Sequence, residues 1–175
     1  MKRKILSLVL ALCLILPCAF MLSACKKDNT AQQPVAIAGK SLQGTSECFI
    51  VWREGVTEQD KTEFFSNNES STEEELKQTI KQGSGEHYCA LLRNTYNAGG
   101  TVTIQFNIED MQPRTIYYKQ SADFKTIIHY IDAECTEEVH GDNYGPARYE
   151  WVNNSYRAVI DWNELFDVHF VFNFA

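Results

Sequence analysis

The sequence lacks the short motifs that identify the common enzyme classes. It contains no GxSxG nucleophile turn, no phosphate-binding loop and no GxGxxG. Its four histidines show no HxxxH or HxH spacing, and no two of its six cysteines form a CxxC pair. Preformed zinc sites usually have such spacings. We therefore expect a protein that is not an enzyme and that holds no metal ion and no cofactor.

Basic residues are few beside acidic ones, 16 against 23. Three of the basic residues stand at positions 2–4, whereas every acidic residue follows Cys25. The chain from residue 25 onward therefore carries a formal charge of 13 − 23 = −10. A domain of this charge repels phosphate backbones, which argues against nucleic acid as a partner.

The first residues predict export from the cytoplasm. Basic residues at 2–4 precede an apolar stretch from Ile5 to Leu22, which is the order found in a secretory signal peptide. A stretch of this length is also long enough to span a bilayer. The stretch alone is therefore compatible with a cleaved signal and with an uncleaved membrane anchor.

The next four positions, Leu22-Ser23-Ala24-Cys25, resemble the lipobox of bacterial lipoproteins. The resemblance implies that the Cys25 thiol receives a diacylglyceryl group and that the chain is cut before it. Two acyl chains suffice for stable membrane attachment. The resemblance thus implies a protein on the extracytoplasmic face of the cell membrane, with membrane lipid as its partner through the acylated Cys25.

Three segments follow from this interpretation. Residues 1–24 are the signal peptide, and residues 25–39 contain no apolar cluster, which predicts a flexible tether. Residues 40–175 are then one domain of ordinary size, long enough to bury a core.

Three cysteines remain in the predicted domain: Cys48, Cys89 and Cys135. An odd number permits at most one disulfide within the chain, and burial of all three as small apolar side chains is equally consistent with the sequence. A Cys–His nucleophile pair also stays open. Each cysteine lies in a predicted strand, however, where burial raises the thiol pKa and lowers its reactivity.

The predicted domain begins with a strand and a helical insert. Residues 47–52 are apolar and rich in β-formers, which predicts the first strand. Thr57 precedes acidic residues typical of a helix N-terminus, and Thr72 and Glu75 have the spacing of a capping box. Two short helices are therefore expected directly after the first strand.

From residue 88 onward the apolar pattern has a period of two, which is typical of strands. The predicted strands are 88–92, 101–108, 115–119, 126–131, 148–152, 156–162 and 168–174, with 133–140 as a further candidate. Asn153-Asn154 predicts the turn of a β-hairpin.

The last strand determines the predicted architecture. Four apolar side chains share one of its faces: Val168, Phe170, Phe172 and Phe174. A strand this apolar would aggregate as a free edge, so we expect it to pair on both sides. The sequence therefore predicts a mainly β protein, an antiparallel up-and-down barrel of about eight strands with a short helical insert after the first strand. A two-sheet sandwich is the alternative.

The layout also resembles the small lipocalin-like lipoproteins of bacteria. Gly39 and Gly44 lead into the first strand, and residues 55–58 and 72–76 are similar to helical inserts of that group. The Gly-x-Trp of lipocalins is absent, because Trp52 comes too late in the chain, so no ligand residue is carried over. The resemblance implies a barrel of about eight strands whose mouth could admit a small apolar ligand.

One set of aromatic residues faces the interior in this arrangement, where it would either line a ligand cavity or fill the barrel. The candidate ligand-binding residues are Phe106, Tyr156, Trp162, Phe170 and Phe172, with Phe174 beside them. The expected function is a membrane-anchored binder of a small apolar or amphipathic ligand. The alternative is a non-enzymatic cell-envelope interaction module with a filled β core.

One acidic segment is a weaker candidate for cation binding. If the segment is extended, one face of it carries Asp132, Glu134, Glu138 and His140. These side chains would either ligate a hard or borderline cation or form a solvated, charged strand edge. The spacing matches no calcium loop.

Overall fold

A computed structural model describes residues 32–82, 91–108, 111–140 and 145–175. The predicted signal peptide, Cys25, the first part of the predicted tether (residues 25–31) and Cys89 lie outside these ranges. Residues 33–175 form one compact unit. Among the described residues, no helix has the length and apolarity needed to cross a bilayer.

Eight antiparallel strands close into a barrel in which each strand pairs with its neighbours in the sequence and the first pairs with the last. The strands are β1 (Ser41–Trp52), β2 (Leu92–Tyr96), β3 (Thr101–Phe106), β4 (Arg114–Gln120), β5 (Thr126–Tyr130), β6 (Arg148–Val152), β7 (Ser155–Asp161) and β8 (Phe166–Phe174). The predicted fold class is confirmed, and the sandwich alternative is wrong because the sheet has no open edge.

The last strand pairs on both sides, as its apolar face predicts. On one side, β8 pairs with β7 from Tyr156↔Phe172 to Asp161↔Asp167. On the other, it pairs with β1 from Leu42↔Phe174 to Trp52↔Phe166. Both edges of β8 are thus hydrogen-bonded to neighbouring strands. The strand leaves no free edge that could pair with another chain and aggregate.

The two short helices lie between β1 and β2, as predicted: α1 (Glu58–Ser66) and α2 (Glu73–Ile80). The complete capping box belongs to α1, where Thr57 and Asp60 cap each other reciprocally. At α2, Thr72 accepts from the Glu75 N–H, but the Glu75 carboxylate accepts from the N–H of Ser71 instead. The capping box expected at α2 is therefore only half formed.

Two strands differ from the expected bounds. Strand β2 begins at Leu92, where the predicted strand ends, and residues 88–90 lie outside the described ranges. Strand β3 ends at Phe106, so Ile108 leaves the inward face and is 41% exposed. Val102, Ile104 and Phe106 are buried as predicted.

The candidate strand 133–140 is not a strand. It makes one isolated bridge, Tyr130↔Glu138, and otherwise turns. The Asp132 carboxylate accepts hydrogen bonds from the backbone N–H groups of Thr136 and Glu137, at 3.1 and 2.7 Å. This side chain offers the backbone an alternative to strand pairing, which explains the turn. Cys135 lies in the turn with a φ of 53°, so its predicted placement in a strand is also wrong.

Strand β1 is longer than predicted and contains a large bulge. From Gly44 to Cys48 the strand advances four residues while the opposing β8 advances two, from Phe172 to Phe170. Thr45 stabilises the bulge, because its hydroxyl donates to the Val171 carbonyl at 3.1 Å. The irregular segment ends the alternation of side chains, so the sequence pattern reveals only the second half of the strand.

Ile37 lies within the stretch that we expected to be tether, yet it is completely buried. Its N–H donates to Oε1 of Gln120 at 2.9 Å, and the N–H of Gly39 donates to the Tyr96 carbonyl at 2.7 Å. The chain therefore joins the core before the start of β1.

Candidate functional site

A row of rings crosses the barrel interior from β4 to β8. The neighbouring rings are Tyr118, Tyr96, His129, Tyr149 and Phe172, and successive centroids are 4.9, 5.7, 5.0 and 5.1 Å apart. Tyr96, His129, Tyr149 and Phe172 are completely buried. These rings come from five different strands, because each strand turns alternate side chains inward. At this level the barrel is filled by aromatic side chains.

Polar atoms of the row form two hydrogen bonds in the barrel interior. The hydroxyl of Tyr96 lies 3.0 Å from Nε2 of His129. Nδ2 of Asn94, which is also completely buried, donates to the hydroxyl of Tyr149 at 2.8 Å. Strands β2, β5 and β6 supply these four side chains, which we call the interior polar cluster: Asn94, Tyr96, His129 and Tyr149.

Two atoms of the interior polar cluster have no hydrogen-bond partner in the described part of the chain: Oδ1 of Asn94 and Nδ1 of His129. Leaving such a group unsatisfied costs about 1–3 kcal/mol. Native proteins usually satisfy buried polar groups with protein atoms or ordered water. The interior polar cluster therefore has unused capacity for one donor to Asn94 and one further contact to His129.

Burial keeps the interior polar cluster electrically neutral at physiological pH. It lowers the pKa of His129 to about 3, so the imidazole carries no charge. It raises the pKa of Tyr96 well above its usual value, so the phenol keeps its proton. A general acid or base works best with a pKa near the working pH, and these two groups are shifted away from it. The arrangement suits structure or recognition rather than proton transfer.

A second interior contact joins the N-terminal segment to the barrel wall. The hydroxyl of Tyr156 donates to the Phe124 carbonyl at 2.5 Å and accepts from Nε2 of Gln120 at 2.8 Å. The same Gln120 amide accepts from Ile37, as described above. Tyr156 therefore serves packing and hydrogen bonding in this structure, with its hydroxyl fully engaged.

Helix α1 covers the barrel at the level where β1 ends. Trp52 makes edge-to-face contacts with Phe64, Phe65 and Phe166, at centroid distances of 6.0, 5.9 and 5.1 Å. Nε1 of Trp52 donates to the Glu73 carboxylate at 3.3 Å, which connects this aromatic group to α2. The helical insert thus closes over aromatic side chains of β1 and β8.

The structure brings together four of the five candidate ligand-binding residues. Phe106, Tyr156, Phe170 and Phe172 are buried inside the barrel. Trp162 follows the end of β7 and is 40% exposed, because the inward alternation stops with the strand. Phe174, at the end of β8, is 41% exposed. The expectation that Trp162 faces inward is therefore wrong, whereas the Phe174 ring contacts that of the buried Tyr156, with centroids 6.1 Å apart.

The sequence pattern missed the interior polar cluster. Asn94 and Tyr96 lie in β2, which begins where the predicted strand 88–92 ends, and the strand pattern at His129 and Tyr149 indicates no polar contact between them. The usable signal is the two-residue spacing of Leu92, Asn94 and Tyr96, which places all three on one face of a strand. A polar residue at an inward position breaks the apolar alternation on which strand prediction depends.

The acidic segment and the cysteines form no site in the described residues. Asp132 is engaged by backbone N–H groups, and no group of three His, Cys, Asp or Glu side chains in the described ranges could hold a metal ion. Cys48 and Cys135 are both free, and burial raises the pKa of the Cys48 thiol. No protein-family model matches the chain, and searches of curated proteins and of solved structures find no similar protein.

Proposed function

We propose that this chain is a lipid-anchored, extracytoplasmic protein whose barrel is a non-enzymatic interaction module with a filled β core. The observation that supports a filled core is the row of rings from Tyr118 to Phe172, with centroids 4.9–5.7 Å apart. Eight strands enclose an interior just wide enough for side chains to fill or for one small ligand, and aromatic rings occupy it at the level of this row. A partner would then be bound by the outer surface of the barrel.

The proposed anchor depends on residues 22–25. The lipobox pattern Leu22-Ser23-Ala24-Cys25 follows a basic and then an apolar segment, in the order of a signal peptide. The acylated Cys25 would hold the barrel at the outer face of the cell membrane, with membrane lipid as its partner. The acidic character of the mature chain argues against a nucleic acid partner there.

The filled core is tested by native mass spectrometry of the full chain, extracted from membranes in mild detergent. We expect the mass of the acylated protein without a further ligand. A fatty-acid series should not change the fluorescence of the three tryptophans, Trp52, Trp151 and Trp162. A stoichiometric adduct that survives extraction, or saturable quenching, would contradict the filled core.

The second candidate is a binder of a small apolar or amphipathic ligand inside the barrel. The observation that favours it is the pair of unpartnered atoms, Oδ1 of Asn94 and Nδ1 of His129. The ligand would be compact, because rings occupy the interior at this level, and it would carry a donor for Asn94. An adduct lost in an Asn94→Leu variant but retained in a variant of exposed Asn97 would establish this candidate.

The anchor has a separate test in cells fed with a labelled fatty acid. We expect Cys25→Ala to abolish incorporation of the label and to leave an unprocessed or released chain. Cys18→Ala is the matched control, because it removes a cysteine of the same apolar stretch and leaves residues 22–25 intact. Equal labelling of the Cys25→Ala variant would refute the anchor without affecting the filled core.

A further inference from the structure

The bulge of β1 lies beside a recess on the outer surface of the barrel. The recess has a volume of about 390 Å³ and is bordered by β1, the β6–β7 turn, β7 and β8. Its polar lining includes Glu47, Asn153, Asn154, Arg157 and Asn173, and the Phe49 ring is part of it. These residues come from distant parts of the sequence, and closure of the barrel brings them together.

Arg157 is the unusual member of this group. Only 9% of its surface is exposed, and its Cζ lies 4.0 Å from the centroid of the Phe49 ring. Its side chain makes no hydrogen bond and no ion pair with any described residue, and its Nε is buried without a partner. Buried charges are normally paired, so an arginine held this way has its binding capacity unused.

Glu47 influences Arg157 without pairing with it. Burial lowers the pKa of Arg157, and the charge of Glu47 acts in the opposite direction. Glu47 is exposed on the bulge and forms no ion pair with a described residue. Its carboxylate therefore reduces the cost of the buried guanidinium while leaving the guanidinium open to another partner.

Three asparagine side chains add hydrogen-bonding groups to the recess. Asn153 and Asn154 form the β6–β7 turn with φ values of 50° and 69°, and Asn173 faces outward from β8. None of the three amide side chains has a hydrogen-bond partner among the described residues. Each can donate through its NH₂ group. The recess thus combines one positively charged guanidinium group with several neutral hydrogen-bond donors.

We propose that this recess binds the carboxylate group of an organic ligand, with the Arg157 guanidinium as the charged partner and the asparagine amides as additional donors. The planar guanidinium matches a carboxylate in a two-point contact. Glu47 disfavours a phosphate dianion, whose greater charge it repels more strongly. The proposal rests on the proposed function in one respect, since it assigns recognition to the outer surface.

The test is a titration of the full ¹⁵N-labelled chain in detergent with sodium acetate, at an ionic strength kept constant with sodium chloride. The readouts are the Nε–H signal of Arg157 and the backbone N–H signal of Asn154. We expect both signals to shift saturably. Arg157→Lys keeps the positive charge but cannot make the two-point contact of a guanidinium group. We expect it to weaken acetate binding about tenfold. Arg93→Lys, an exposed arginine on β2, is the matched control and should not change the affinity.

Three results would overturn the proposal. The shifts could be linear and equal to those given by chloride, inorganic phosphate could bind where acetate does not, or Arg157→Lys could bind acetate as the unchanged chain does. If Arg157→Lys does not fold, Asn173→Asp replaces it, because this exposed position keeps its strand pairing and gains a repelling charge. Unchanged acetate affinity in Asn173→Asp would equally overturn the proposal.

The same spectra distinguish this proposal from the proposed function. Acetate shifts confined to the signals of Tyr96 and His129 would place the ligand in the barrel interior and contradict both. If acetate shifts none of the signals, the carboxylate site is contradicted and the filled core is not. Shifts at Arg157 and Asn154 with unchanged interior signals would support both.

Discussion

The hydroxyl of Tyr96 lies 3.0 Å from Nε2 of His129, and both side chains are completely buried inside the barrel. Because the phenol and the imidazole both stay neutral at physiological pH, the contact is a hydrogen bond between uncharged groups. Such a bond needs no counter-ion in a low-dielectric interior. Protonation of the imidazole would place an unpaired charge among aromatic rings. The contact therefore couples the stability of the barrel to pH.

We predict that His129 makes the protein less stable as the pH falls from 6.5 to 5. In the unfolded chain the imidazole gains a proton near pH 6.5, whereas in the barrel its pKa is about 3. The unfolded state therefore binds more protons over this range, and the free energy of unfolding decreases by about 2 kcal/mol from this residue. Urea titrations of the unchanged chain and of His129→Gln at several pH values measure the difference in slope.

The control for this prediction is His140→Gln, which removes an exposed imidazole. The control should keep the steep pH dependence of the unchanged chain, and His129→Gln should lose part of it. Equal slopes in all three proteins would mean that His129 has the same pKa in the folded and unfolded states, and would contradict the prediction. The absolute stability of His129→Gln is not the readout, since the variant also changes the contact with Tyr96.

Replacement of Asn94 by leucine tests how much the buried polar side chain of Asn94 contributes to the stability of the barrel. The substitution removes the unpartnered Oδ1 and also the hydrogen bond to Tyr149. An apolar side chain of similar shape removes a desolvated acceptor, so we expect a change in unfolding free energy of about 1 kcal/mol or less in either direction. Asn94→Ala instead leaves a cavity, and we expect it to cost about 2 kcal/mol more than Asn94→Leu. A large loss in Asn94→Leu, comparable to that of Asn94→Ala, would contradict this expectation.

We predict that Gly145 tolerates alanine less well than Gly55, although both have a positive φ. The φ of Gly145 is +73°, and an added Cβ would lie 2.9 Å from Cδ2 of the completely buried Leu92. We expect Gly145→Ala to cost about 3 kcal/mol, from the left-handed backbone and from the overpacked core. Gly55→Ala is the matched control, since its φ is +90° and its added Cβ meets nothing within 4 Å. Thermal unfolding should show a clearly larger loss for Gly145→Ala, and equal losses would mean that Leu92 moves aside freely.

Much of the barrel was predictable because its signals are local. The alternation in β3 and β8, and the Asn153-Asn154 turn, each depend on residues adjacent in the sequence. The positive φ values at this turn, 50° and 69°, are those that a tight hairpin turn requires. The apolar face of β8 even predicted closure, because an unpaired strand of this composition would be unstable in water.

The rest could not be predicted because tertiary contacts override local patterns. Asn94 places a polar side chain inward, so the true position of β2 conflicts with the apolar alternation that sequence reasoning uses. The bulge after Gly44 shifts the alternation within β1 and conceals its first half. The outer recess has no sequence signal, because Glu47 and Arg157 come together only when β1 and β7 both flank β8.

The last prediction concerns α2 and its attachment to the barrel. Leu76 and Ile80 are its buried side chains, 7% and 2% exposed, and the helix packs against β1. An eight-residue helix is marginal in water, so burial of this face rather than intrinsic propensity holds it in place. We therefore expect Leu76→Ala to lower the free energy of unfolding by about 3 kcal/mol.

Gln78→Ala is the control for the same helix, because the Gln78 side chain is exposed and, within the described ranges, bonds only to the Glu74 side chain, at 3.1 Å. We expect its effect to remain within about 0.5 kcal/mol. Hydrogen exchange then shows how the helix and barrel are coupled. If α2 is part of the cooperative core, Leu76→Ala reduces the protection of residues 73–80 and of β1 together. Loss of protection in α2 alone, with β1 and β8 unchanged, would contradict this and identify the insert as a separately unfolding unit.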